Sequence, residues 1–198
     1  MLHFHKIADS VNVAPLLAQI EAHPALWDSI NFRKIAPGTA HSRMSDIWIR
    51  YNDITKFPEG DLRGLSEEHV PVWYPAWHVL PALHPIVFGL MSAVRGEMVG
   101  GVLITRIPPG EGIAPHADAS WHVSYYDKFY VCLKSKPGAD FVCEDKAGIE
   151  RCNPIPGDIH LFDNRKMHWV ENKSDDDRMT LIVCIRTAMF RGGPLHAV

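Results

Sequence analysis

Four side chains of this 198-residue sequence have types and spacing that could do chemistry together: His116, Asp118, His168 and Arg178. Two histidines and one carboxylate can hold a ferrous ion on one face and leave the opposite face open to ligands. An arginine on the following strand can clamp the far carboxylate of a keto diacid such as 2-oxoglutarate with two parallel hydrogen bonds. His116 and Asp118 lie two residues apart, so on extended backbone both point to the same side and can reach one metal. Chance alone places about one His-x-Asp in a chain of this composition, so the tripeptide carries weight only through its surroundings.

Those surroundings read as strands and turns. Gly101 to Ile107 is apolar and β-branched, and Pro108-Pro109-Gly110-Glu111-Gly112 breaks it before His116. Pro156-Gly157-Asp158 signals a turn, Ile159 to Phe162 a short strand, and His168 follows. Met179 to Ile185 is the clearest buried strand, with Arg178 at its entrance, a place that favours an inward role over a surface pair with Asp175, Asp176 or Asp177. Arg186 is an even step further along and shares Arg178's face by strand alternation, which makes it a second candidate for a carboxylate or a substrate. Trp121 and His122 follow the motif closely and are candidates for the substrate mouth, although a histidine there is more often a polar loop residue. Arg50 is a candidate anion ligand beside Trp48 and Tyr51, for which packing is the simpler reading. His160 reads as a hydrogen-bonded strand histidine, and Trp169 as a neighbour that orients His168. The run Trp73-Tyr74-Pro75-Ala76-Trp77-His78 reads equally as a lid and as a hydrophobic clasp.

The elements that must position these residues divide the chain in two. A helix is expected from Asp9 or Ser10 to about Ala22, with Val13, Leu16, Leu17 and Ile20 at helical spacing. Phe32 to Ile35 and Ile47 to Tyr51 read as strands, the second half-buried, with Ile47, Ile49 and Tyr51 on one face and Trp48 and Arg50 on the other. From Asn52 to about Trp77 the chain carries Pro58, Gly60, Gly64 and Pro71 and reads as a long irregular stretch of the kind that is often functional or mobile. A second helix is expected over Val79 to Val94, with Pro81 in its first turn or Pro85 delaying its start. From Val99 to about Phe190 short strands and turns alternate. The expectation is one domain over 1–198, α+β and mostly β, with a helical and mixed region (1–98) packed outside an antiparallel sandwich or barrel (99–190).

The net charge is −3 and there is no Lys/Arg run, which disfavours nucleic acid as a partner. Cys132, Cys143, Cys152 and Cys184 form no Cys-x-x-Cys pair and read as buried reduced thiols of a cytoplasmic protein. Met1 to Lys6 lacks the apolar core of a signal peptide, and no stretch is long enough to span a bilayer.

On these residues the part from about Val99 to Arg186 resembles the double-stranded β-helix (jelly-roll, cupin-like) core of the Fe(II)/2-oxoglutarate-dependent oxygenases. More narrowly it resembles the aspartyl/asparaginyl β-hydroxylase family. Ile107-Pro108-Pro109-Gly110 before Pro115-His116 is similar to the family's strand, Pro-Gly turn and Pro-His run. Leu161-Phe162-Asp163-Asn164, ahead of His168, is similar to its Phe-Asp run before the second metal histidine. Arg178 stands ten residues after His168, where the family places its cosubstrate arginine, and Thr105 eleven before His116, where it has a hydroxyl for the same carboxylate. The animal branch lacks a carboxylate two residues after the first histidine; Asp118 is present here, as in the wider superfamily. An arginine that grips the cosubstrate in that branch falls near Lys128 if Phe129 to Leu133 is aligned as the next strand.

The resemblance implies iron held by His116, Asp118 and His168, 2-oxoglutarate held by Arg178 with Thr105, Lys128 and, as a second clamp, Arg186, and O2 as oxidant. It implies hydroxylation of an amino acid, a peptide or protein side chain or another small polar molecule, with release of succinate and CO2. Asp118 fills the position a halide would need, which disfavours halogenation; desaturation stays open. Three other readings compete: a cupin-like metal enzyme without the keto acid, which has no need of Arg178; a non-catalytic β-sandwich binding module; and nucleic-acid demethylation, which the acidic charge disfavours.

Overall fold

The structure is a computed structural model and describes residues 3–59 and 61–187. Met1 and Leu2, and residues 188–190 at the end of the expected strand region, lie outside the described residues. Two antiparallel sheets face each other. The larger runs β1 (Phe4–Ala8), β9 (Ile159–Phe162), β6 (Asp127–Lys134), β11 (Arg178–Arg186), β4 (Met98–Ile107), β2 (Ser45–Asn52), β3 (Pro71–Trp73). The smaller runs β5 (Gly112–His116), β10 (Met167–Asn172), β7 (Ala139–Asp145), β8 (Gly148–Cys152).

Side-chain alternation assigns the two faces of the larger sheet. Ile47 and Ile49, Val102 and Ile104, Phe129, Val131 and Leu133, and Leu181, Val183 and Ile185 form one cluster with Leu16 and Ile20 of α1 (Ala14–Ala22) and Leu83, Val87 and Leu90 of α5 (Leu83–Ala93). The alternate residues of the same strands, Thr105, Lys128, Tyr130, Arg178, Thr180 and Ile182, face the smaller sheet and line an interior pocket. Phe4, Ile107, Phe141, Phe162 and Val170 close the gap between the sheets in a second cluster. The helices thus cover the outer face, the site occupies the inner one, and the core is the jelly-roll arrangement expected.

Several local expectations are corrected. The first helix begins at Ala14, because Ser10 has φ 60 and Val11 is tied to Gly157 by its N–H, while Asn12 Oδ1 accepts from Ala14 N and Pro15 fits the first turn. Phe32–Ile35 is a single helical turn, α2, rather than a strand: the Asn31 carbonyl accepts from Lys34 and Ile35, and Phe32 is sunk edge-on against Trp48. The stretch after Asn52 is not irregular, since it holds a 3-10 turn at Ile54–Lys56, α3 (Leu62–Glu67), β3 and α4 (Ala76–Val79). The second long helix starts at Leu83, with Pro85 in its first turn. β1 had no counterpart in the sequence reading, and neither did the short helix α6 (Trp121–Tyr125). All four cysteines are buried and free. Among the described residues no helix is long and apolar enough to cross a membrane.

Candidate metal centre and its two pockets

β5 and β10 pair so that His116 and His168 stand directly opposite each other, with ring centroids 4.3 Å apart. Both imidazoles are oriented the same way: His116 Nδ1 donates to the Ala114 carbonyl at 2.8 Å, and His168 Nδ1 to the Lys166 carbonyl at 2.8 Å. A carbonyl only accepts, so each Nδ1 carries the proton and each Nε2 presents a lone pair. Asp118 Oδ1 lies 3.5 Å from His116 Nε2. One ligand atom from each of His116, Asp118 and His168 falls within 4.8 Å of the others, close enough to hold one metal ion.

Asp118 is fixed from behind. Its N–H donates to the Asn164 carbonyl at 2.9 Å, and its Oδ2 accepts from the Asn164 amide and from Lys128 Nζ at 2.7 Å. Burial opposes its charge, but the Lys128 ammonium and these hydrogen bonds outweigh burial and hold the carboxyl well below the usual carboxylate range. Burial likewise opposes the charge of Lys128, and Asp118 outweighs it, so the ammonium is held above its ordinary value. Burial lowers His168 to about 4, which keeps the ring neutral and able to ligate.

His116 and Asp118 border two adjoining cavities, and His168 borders the inner one. The inner pocket is narrow, about 40 Å³, and lies between the sheets with Thr105, Tyr130, Phe141, Arg178 and Thr180 in its wall. Arg178 is 4% exposed, donates from Nη1 to Thr180 Oγ1 at 2.8 Å, and leaves Nε without a partner. Among the described residues no carboxylate forms an ion pair with it, and burial presses its pKa below the ordinary arginine value. A buried guanidinium in this state calls for an anion. The outer cavity is about 680 Å³, with Trp48, Tyr51, His122 and Tyr126 among its walls and Ser66 and Glu67 at its edge.

Of the other residues singled out in the sequence, Thr105 faces the inner pocket and donates from Oγ1 to the Thr180 carbonyl at 3.5 Å, and His122 is buried in the wall of the outer cavity. Lys128, which the resemblance sets near a cosubstrate-gripping arginine, borders both pockets. Arg186 borders neither pocket. Eight strand residues at about 3.3 Å each put it about 26 Å along β11 from Arg178, where Glu97 pairs with it at 2.9 Å and Tyr125 holds it through its ring and hydroxyl. Arg50 also turns away. A bulge between Trp48 and Arg50 breaks the alternation of β2, so Arg50 donates to the Val99 carbonyl and lies over the Trp73 ring at 4.6 Å, while Tyr51 joins Trp48 at the cavity. Trp121 borders neither pocket and stacks on Tyr125 at 4.6 Å. The run Trp73 to His78 is a clasp: Trp77 stacks at 4.0 Å on both Trp73 and His84.

Asn164, His41 and Arg33 were missed. Arg33 borders both pockets and pairs with the buried Asp46 at 3.2 Å, and His41 meets the His116 ring edge-on at 5.0 Å. Arg33 lies in α2 and His41 in the turn that follows, and neither carries a local signal of where it folds. The aromatic wall did leave a signal, because Gly100-Gly101 inside a strand marks close approach: a Cβ at Gly100 would lie 2.8 Å from the Tyr126 ring, and one at Gly101 2.9 Å from Tyr51.

Fold and site together define a double-stranded β-helix protein with a His-Asp-His cluster inside the barrel. The Aspartyl/Asparaginyl beta-hydroxylase pattern matches residues 76–187, and the chain belongs to that family. The match reaches back through α4 and α5, beyond the part that resembled the family by motif. Among solved structures the chain is similar to a 2OG-Fe(II) oxygenase family oxidoreductase from Burkholderia pseudomallei (18% identity, 91% of this chain and 83% of that chain, TM-score 0.57). It is also similar to a prolyl hydroxylase from Trichoplax adhaerens, solved with a hypoxia inducible factor peptide fragment (16%, 88% and 77%, 0.53). A third is the viral collagen prolyl hydroxylase of Paramecium Bursaria Chlorella virus-1, solved as a 2OG complex (14%, 94% and 96%, 0.53). At these identities the likeness is one of fold. No curated protein matches the sequence.

Proposed function

We propose that this protein is an Fe(II)- and 2-oxoglutarate-dependent hydroxylase of an amino acid, a peptide or protein side chain, or another small polar molecule. The observation that carries the reading is Arg178, a buried guanidinium without a carboxylate partner among the described residues, opening on the narrow pocket that His116, Asp118 and His168 border. A cupin-like enzyme that binds its substrate directly to the metal has no use for such a cation.

His116 and His168 would hold the iron through Nε2 and Asp118 through Oδ1. Arg178 would take the far carboxylate of 2-oxoglutarate, with the Thr105 and Thr180 hydroxyls beside it. Bound iron supplies the chemistry that splits O2 between the keto acid and the substrate, giving succinate, CO2 and an alcohol. Phe141, Ile113 and Ile182 keep the inner pocket apolar around that cation, so the carboxylate–guanidinium pair forms away from water. The outer cavity receives the substrate, and its volume suits a residue-sized group.

The test is an anaerobic absorption titration of metal-free protein with Fe(II) and then 2-oxoglutarate. A visible charge-transfer band that needs both is expected. Iron binding without the band overturns the keto-acid assignment, and absence of iron binding overturns the metal site.

A further inference from the structure

Lys128 stands where the family resemblance would place a cosubstrate-gripping cation, yet its ammonium is already engaged. Nζ donates to Asp118 Oδ2 at 2.7 Å, and the Asn164 amide donates to the same oxygen. The other oxygen, Oδ1, is the one that faces His116 Nε2. Asn164 also receives the Asp118 N–H on its backbone carbonyl at 2.9 Å, so the carboxylate and its own peptide are both anchored to one residue. Of the cations that border the inner pocket Arg33 is paired with Asp46, and the other two differ in kind. Arg178 has no anion among the described residues; Lys128 has Asp118.

We infer that Lys128 is a positioning residue for the metal centre rather than a ligand of the keto acid: with Asn164 it occupies Asp118 Oδ2, limits Asp118 to one metal-facing oxygen, and serves as that carboxylate's counter-cation while the metal is away. The inference rests on the proposed metal site and adds to it the division of labour between the two cations. Three consequences follow from the geometry. The triad keeps its third ligand aimed in the metal-free protein, because Lys128 and Asn164 both hold Asp118 Oδ2. A carboxylate with one oxygen already saturated occupies one coordination position, which leaves three of six for other ligands. A fixed positive charge beside a divalent ion also weakens that ion's binding, so Lys128 lowers affinity for the metal in exchange for a set geometry.

The consequences separate in two variants. Lys128→Gln removes the charge and keeps an amide donor toward Oδ2, so its affinity for Co(II), measured by competition with a chelating dye, is expected to rise about tenfold. Lys128→Met removes both; in the Co(II) form, the difference infrared spectrum is expected to show the separation between the Asp118 carboxylate stretching bands narrowing from a one-oxygen to a two-oxygen pattern. Binding of 2-oxoglutarate to the cobalt-loaded Gln variant should stay within about threefold of the parent. Unchanged cobalt affinity in Lys128→Gln, or a loss of 2-oxoglutarate binding there as large as in Arg178→Met, overturns the inference while leaving the metal site intact. If Lys128→Met does not fold, the affinity and cosubstrate measurements on Lys128→Gln decide alone. Failure of the unaltered protein to bind cobalt overturns the metal site itself, and the inference with it.

Discussion

Arg178, buried, and Lys128, half-buried, are both cations within one site, and their surroundings give them opposite energetic characters. Lys128 is neutralised by Asp118, whereas Arg178 donates to the Thr180 hydroxyl and, among the described residues, has no partner for Nε. An unpaired buried charge is destabilising, and replacing it by an apolar side chain of similar length removes that cost. Arg178→Met is therefore expected to raise the urea stability of the ligand-free protein by about 1 kcal/mol. The same change removes a charge-assisted, two-bond contact and should weaken 2-oxoglutarate binding by about a hundredfold. A variant that loses both stability and cosubstrate would identify Arg178 as a structural residue. His116→Ala or His168→Ala should abolish succinate formation; full turnover in either would remove that residue from the metal assignment. At this scale the sequence was informative wherever spacing encodes direction. His116 and Asp118 share a side by parity, and Arg178 lies at the mouth of a buried strand. It was silent where direction is set by a partner distant in the chain. Nothing near Lys128 announces that it and Asn164 converge on Asp118 from other elements.

Elements carry the next level of control, and two irregularities in β2 and β4 shape the outer cavity. The bulge in β2 sends Arg50 out to Trp73 and brings Tyr51 inward, where Gly101 of β4 gives its ring room. In Gly101→Ala the new Cβ would meet Tyr51 Cδ2 at 2.9 Å and His122 Cε1 at 3.5 Å, so the Tyr51 ring must shift toward the cavity. The expected cost is about 1–3 kcal/mol, read as a lower urea midpoint. The inner pocket lies on the same sheet but is bordered by Thr105, Arg178 and Thr180 rather than by Gly101. The charge-transfer band should therefore develop at the same 2-oxoglutarate concentration as in the parent, and a shifted titration would refute the separation of the two pockets. These irregularities also explain what was illegible. Strict alternation put Arg50 and Trp48 on one face, and a one-residue bulge defeats any argument from parity. Phe32–Ile35 has strand-like composition, yet one helical turn buries Phe32 against Trp48, a gain that local propensity does not register. By contrast, β4, β9 and β11 were legible because their residues are mostly β-branched or apolar, with Pro-Gly turns beside β4 and β9 and the polar run Ser174 to Asp177 before β11.

For the molecule as a whole, placing the site between two sheets makes folding sensitive to acid. Three histidines around the cavity are held neutral: burial lowers His41 to about 2, with Arg33 adding to it, His122 to about 3, with Lys128 adding to it, and His168 to about 4. In the unfolded chain each takes up a proton near pH 6.5. Below that value the unfolded state binds protons that the folded state refuses, so stability is full above 6.5 and falls as the pH drops toward the folded values. Each histidine contributes a slope of up to about 1.4 kcal/mol per pH unit, and the three together about 4. Asp46 works in the opposite direction, since burial raises its carboxyl despite Arg33. The clean window is therefore from 6.5 down to about 5, above most carboxylates. Urea unfolding of the metal-free protein across that window should show a steady loss of stability. His122→Phe keeps a ring against Tyr51 and Tyr126 and removes one titrating group. Its slope is expected to be about one third shallower. A flat profile in the parent would mean that these rings accept protons in the folded state. Two of them border the inner pocket, His41 and His168, so protonation there would place positive charge beside Arg178 and Lys128, where that pocket already holds more cation than anion.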